Sequence, residues 1–149
     1  MNKRIVPILA SLLFLSACSG EVQDTRPGQP VAHRRAAFKQ MLKVFEPMGV
    51  MMRTDTFDAQ KFATLAKALL QRREVPWQYF KPDTDYPPTK AKPAVWSDPK
   101  TFEADRKAFF KASDHLAAVA GTTDKQQAKA AYEAVEHACH TCHDTFKTH

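Results

Sequence analysis

The chain has 149 residues, a length that suggests one domain, and hydrophobic residues make up 44% of it, enough for a sizeable core. Four glycines against ten prolines disfavour an all-β chain with many tight turns. The formal charge is +6, yet no basic run carries interleaved aromatics, so no nucleic-acid partner is expected. No nucleophile–base pair and no paired carboxylates suggest hydrolytic chemistry, and the chain is read as a non-enzyme.

Residues 1–17 read as an export segment. Lys3 and Arg4 form a positive start, and Ile5 to Phe14 form an apolar core too short for a mature transmembrane helix. The stretch ends Leu15-Ser16-Ala17-Cys18, which resembles the lipobox of bacterial lipoproteins, where the cysteine is lipidated and becomes the first mature residue. An ordinary signal peptide cut near Ala17 or Gly20 is the alternative. Lipidation is favoured because Cys18 would otherwise be an unpaired thiol in an oxidising compartment. Several acyl chains, at about 0.8 kcal/mol per buried CH₂, would hold the protein on a membrane. By the same resemblance, Ser19 after the cysteine implies the periplasm and sorting to the outer membrane. Loss of residues 1–17 removes two positive charges and leaves +4, a mildly basic surface. Residues 18–30, with Gly28, Pro27 and Pro30 and little apolar content, read as a lipidated flexible tether.

A first amphipathic helix is predicted from Val31 to Arg53, with Phe38, Met41, Leu42, Phe45, Met48 and Met52 at three- and four-residue steps. Pro47 should kink or split it near Lys43 to Glu46. Thr56 or Asp58 caps a second helix, Asp58 to Arg73, whose buried stripe is Phe62, Leu65, Ala66, Leu69 and Leu70. Glu74 to Pro99 is a proline-rich crossover carrying Trp77, Tyr79, Phe80, Tyr86 and Trp96, aromatics that want a surface to cover, either a cofactor edge or helix ends. Ser97 or Asp98 caps a third helix with Pro99 at its first position, running to about Ala120 and stopped by Gly121. Thr122 or Thr123 caps the fourth, Asp124 to about Lys147. Four such helices, with short outer links and a long middle one, make an all-α, antiparallel four-helix bundle over residues 31–149.

The last helix holds Cys139-His140-Thr141-Cys142-His143, the C-x-x-C-H signature of a c-type haem. The two thiols add across the vinyl groups of one porphyrin, and His143 supplies an imidazole to the iron. Cys139, Cys142 and His143 lie at i, i+3 and i+4, so one helix face presents all three. A Cys/His zinc cluster drawing on His137 and His140, or a redox dithiol, are the rival readings of the pair. Covalent haem is fitted outside the cytoplasm, which agrees with an export segment.

A C-x-x-C-H on the last helix of a bundle resembles the cytochrome c′ family, the class II c-type cytochromes. The resemblance covers about Val31 to Lys147. In Val31-Ala32-His33-Arg34-Arg35-Ala36-Ala37-Phe38 it matches Arg34 to a family arginine and Phe38 to the distal haem contact. Pro93-Ala94-Val95-Trp96-Ser97 looks like a family segment before the third helix, and Lys147 stands where arginine is common, keeping the charge without the planar fork. The resemblance implies one covalent haem c, with Arg34, Phe38, Trp96 and Lys147 around it. It also allows a homodimer through the first two helices.

Phe38 then decides the function. Family members with methionine there are six-coordinate and behave as electron carriers, whereas phenylalanine has no lone pair to give iron. The expectation is five-coordinate haem held by His143 alone, binding NO or CO and guarding against NO. The alternative is an electron-transfer cytochrome, working with a redox partner protein, in which Met41 or another of Met48, Met51 and Met52 reaches the iron. A third reading is a non-haem metal-binding bundle. His33, His115, His137 and His140 are alternative ligands in principle.

Overall fold

The structure, a computed structural model, describes residues 22–54 and 56–148. The export segment and Cys18 lie outside the described residues. The chain forms α1 (Pro30–Arg53), α2 (Ala59–Arg72), a 3₁₀ turn (Val75–Tyr79), the short α3 (Ala94–Ser97), α4 (Pro99–Val119) and α5 (Lys125–Phe146), with no strand among the described residues. The four long helices make the expected bundle. α1 lies on α2 and α5, and α4 lies along α5 and against α2. Short links make each outer pair antiparallel.

The helix starts follow from their caps. Asp58 accepts the Lys61 N–H at 2.9 Å, and Asp98 accepts the Thr101 N–H at 3.2 Å with Pro99 next in line. At α5 the cap is Asp124 rather than a threonine. Its Oδ1 accepts from Gln126 at 2.8 Å and from Gln127 at 3.3 Å, while Thr122 accepts the Asp124 N–H at 3.1 Å. A single carboxylate satisfies two orphan donors here, which one hydroxyl does less well.

Pro47 does not split α1, which runs as one element across it. Proline costs one hydrogen bond in the helix interior, but Val44, Phe45, Met48 and Met51 on either side are all buried. Their packing holds both halves in place. Further along the same face, Phe45 stacks on Tyr132 of α5 at 4.5 Å between centroids. Gly49 makes this approach possible, because a Cβ there would run into the Tyr132 hydroxyl. The core continues through Phe62, Leu69, Leu116 and Val135, all within 1% of full burial.

Part of the expected tether is bound to the bundle. Asp24 is only 4% exposed. Its Oδ2 accepts the N–H groups of Val31 (2.9 Å) and Ala32 (3.1 Å), and its Oδ1 accepts the Arg26 N–H (3.1 Å) and the Tyr86 hydroxyl (2.9 Å). The carboxylate thus satisfies the open start of α1 from six residues upstream of the helix, a role that residue spacing does not announce.

Candidate functional site

On α5 the three residues of the C-x-x-C-H signature share one half-buried face. Both thiols are free, and Cys139 packs against the hydrophobic core. Burial, with lesser contributions from Cys142 and Glu136, pushes the Cys139 thiol up to about 12. Burial and the Asp105 carboxylate raise Cys142 to about 11. Both sulfurs are therefore held as neutral thiols in apolar surroundings. No group of three or more His, Cys, Asp or Glu among the described residues is arranged to hold a metal ion.

Aromatic side chains surround the same end of the bundle. Trp77, on the 3₁₀ turn, is their centre. Its ring lies 5.7 Å from Phe38 of α1, 5.9 Å from Phe80, 5.9 Å from Phe102 and 6.2 Å from Phe109 of α4. Phe102 in turn meets Phe146 of α5 at 5.2 Å, edge to face. Phe146 follows Cys142 by one helical turn, so this run of rings joins Phe38 to the helix that carries the thiols. Phe38 itself is half-buried and packs against the core cluster. Met41, Met48, Met51 and Met52 are all buried in that core.

Arg34 lies one turn before Phe38 and is 3% exposed. Its guanidinium donates to the Tyr79 carbonyl (3.0 Å), the Thr84 hydroxyl (3.1 Å), the Thr84 carbonyl (3.0 Å) and the Thr89 hydroxyl (2.6 Å). It also lies 4.5 Å over the Phe80 ring and 5.8 Å from that of Trp96. The Trp96 indole N–H donates to the Lys81 carbonyl at 2.9 Å. Both residues thus hold the crossover that carries Trp77 and Phe80.

Lys147 is exposed, and its backbone pairs with Ala91. The Lys92 N–H donates to the Phe146 carbonyl at 2.8 Å and the Thr148 N–H to the Lys90 carbonyl at 2.8 Å, so the crossover also binds the end of α5. His33, His115, His137 and His140 are exposed, with His33 stacked on Tyr79 at 5.4 Å.

The sequence reading did not single out Asp105. It stands three residues after Phe102 and four before Phe109, on the apolar stripe of α4, and its Oδ2 is buried with no hydrogen-bond partner. That spacing was the available signal. An apolar aromatic enclosure, two neutral thiols at i and i+3 and an adjacent imidazole are the donor set and lining a covalently attached haem requires.

The family model described as "Cytochrome C'" matches residues 29–147. Cytochrome c' of Rubrivivax gelatinosus is 36% identical over 127 residues, covering 84% of this chain and 98% of that protein. The structure of cytochrome c prime from Shewanella frigidimarina is similar with a TM-score of 0.78 at 28% identity, over 84% of this chain and 98% of that one. A nitric oxide complex of a cytochrome c prime variant from Alcaligenes xylosoxidans is similar with a TM-score of 0.77 at 27% identity, again over 84% and 98%.

Proposed function

Because the chain belongs to the cytochrome c′ family and carries covalent haem c, we propose that Cys139 and Cys142 attach that haem, that His143 is the one protein ligand of the iron, and that the opposite face receives small neutral gases, nitric oxide and carbon monoxide. Haem supplies an iron that takes a diatomic ligand at an open position. The chain supplies the rest. His143 follows Cys142 directly on the same half-buried face of α5, so the tether fixes where its imidazole points. Phe38 provides bulk without a donor atom. The aromatic enclosure keeps water and larger anions out.

The observation that carries this reading is the place of Phe38. Its ring meets Trp77 and Phe80 edge to face at 5.7 and 6.2 Å, within the aromatic cluster that reaches α5 at Phe146. The nitric oxide complex of the Alcaligenes relative supports it. NO protection is the physiological role this chemistry suits, in the periplasm, on the outer membrane through a lipid on Cys18. Replacement of Cys18 by serine then releases the protein from the membrane fraction.

An absorption spectrum tests the reading. Ferrous protein gives a broad high-spin Soret band that sharpens with CO or NO. Phe38→Met drives the spectrum toward low-spin and slows or blocks CO binding. A wild-type ferrous spectrum that is already sharp and indifferent to CO would overturn the proposal in favour of a methionine-ligated electron carrier.

A further inference from the structure

We propose that the Asp105 carboxylate faces the bound haem from α4 and biases its iron toward the ferric state. The inference rests on the haem assignment and not on the gas reading, and it would hold equally for an electron carrier.

Three observations place the residue. Its spacing from Phe102 and Phe109 puts it on the face of α4 that joins the aromatic cluster. Its Oδ2 is buried and has no hydrogen-bond donor. Phe102, one turn before it on α4, meets Phe146, one turn after Cys142 on α5, at 5.2 Å. The carboxylate therefore stands on the face of α4 that packs toward the stretch of α5 carrying the thiols.

Its neighbours do not cancel the charge. Arg106 donates from Nε and Nη2 to the two oxygens of Glu103, both at 2.7 Å, and Lys107 lies 3.8 Å from the same carboxylate. A buried acceptor without a donor is unfavourable. An apolar residue on this stripe would pack without that cost, so stability alone does not account for Asp105.

Electrostatics gives the direction. Ferric haem carries one more positive charge than ferrous haem. A nearby anion in a poorly polarisable interior favours the ferric form more than it would in water. Asp105 forms and breaks no bond in the couple, which exchanges one electron at the iron.

The test is a spectroelectrochemical titration of the haem-loaded protein and of two variants. Asp105→Asn keeps the shape and removes the charge. It should raise the ratio of ferrous to ferric haem about tenfold at a fixed ambient potential, an upward shift of about 59 mV for one electron. Asp105→Glu keeps the charge and should titrate within about twofold of the wild type in that ratio, well under the 59 mV of a full tenfold change. An Asp105→Asn protein that titrates like the wild type overturns the proposal. So does an Asp105→Glu protein that shifts as far as Asp105→Asn, since a purely structural role would not sort the variants by charge. If Asp105→Asn fails to take up haem, Asp105→Ser is titrated under the same criteria. CO binding, read on the same samples, separates the two proposals. A charge-ordered potential in a protein indifferent to CO sustains this one and sinks the gas reading, and the reverse result does the opposite.

Discussion

The bundle core and the crossover are held by different forces. In the core, side chains at helical spacing bury against one another, and Phe62, Met48, Leu69 and Leu116 are within 1% of full burial. That attraction is non-directional and spread over many residues. The crossover, residues 73–98, has few helical hydrogen bonds of its own, so its backbone depends on polar side chains reaching from elsewhere. Arg34 supplies four donations to it and Asp24 accepts the Tyr86 hydroxyl. Directional bonds concentrated on a few residues fix Trp77 and Phe80 around Phe38, which an apolar contact alone would leave free to slide. The core therefore sets how stable the molecule is, and the crossover sets how firmly the aromatic cluster around Phe38 is held.

Two substitutions should break that comparison cleanly. Phe62→Ala leaves a cavity in α2 and should cost about 3–5 kcal/mol of unfolding free energy, read by denaturant titration. Amide protection then falls throughout the bundle, while the CO-bound spectrum of the folded protein is unchanged. Arg34→Leu should cost less, about 1.5–3 kcal/mol, the range for hydrogen bonds to a charged group. Its effect is local. The amides of Phe80 and Thr89, bonded to Trp77 and Tyr86 within the crossover, should exchange faster while α2 keeps its protection. The Soret band should broaden as Trp77 and Phe80 lose their places. Equal loss of protection in both regions for both variants would dissolve the distinction.

The same division explains what the sequence disclosed. The core was legible because hydrophobic burial follows the helical period, so Phe45 and Met48 announced the first helix and Phe62, Ala66 and Leu69 the second. The caps were legible to within a residue or two, as Asp58 and Asp98 show, since capping chemistry is local. The C-x-x-C-H motif was legible because attaching a porphyrin demands a fixed spacing. Long-range polar contacts have no period. Arg34 reaches Tyr79, Thr84 and Thr89 from 45 to 55 residues away, and Asp24 reaches Tyr86 across 62. For that reason the sequence did not announce the bonds Arg34 makes to the crossover, and Asp24 read as part of a loose tether. Asp105 was hidden differently. One carboxylate on an otherwise apolar stripe looks like a surface residue until the facing helix is known. Pro47 failed as a breaker because its local cost is outweighed by burial on both sides of it.

The smallest effect expected at neutral pH concerns Asp24, and pH makes it visible. Burial pushes its carboxyl up, but bonds from the Ala32 N–H, the Tyr86 hydroxyl and the Arg26 and Val31 N–H groups outweigh that and hold it below the usual aspartate range. An unfolded chain has an aspartate pKa of about 3.9. The folded value is lower, so the contribution is complete above about pH 3.9 and is lost as the pH falls through the folded value. The wild type should thus lose stability on the acid side faster than Asp24→Asn, and the two curves should converge at low pH. Asp98, held low first by its bonds from Thr101, and Glu103, held low first by Arg106, are present in both proteins and drop out of the difference. Parallel acid limbs would mean that Asp24 is no better bound in the folded chain than in the unfolded one. The stretch before α1 would then behave as the loose tether its composition suggests, and the crossover would lose its second anchor.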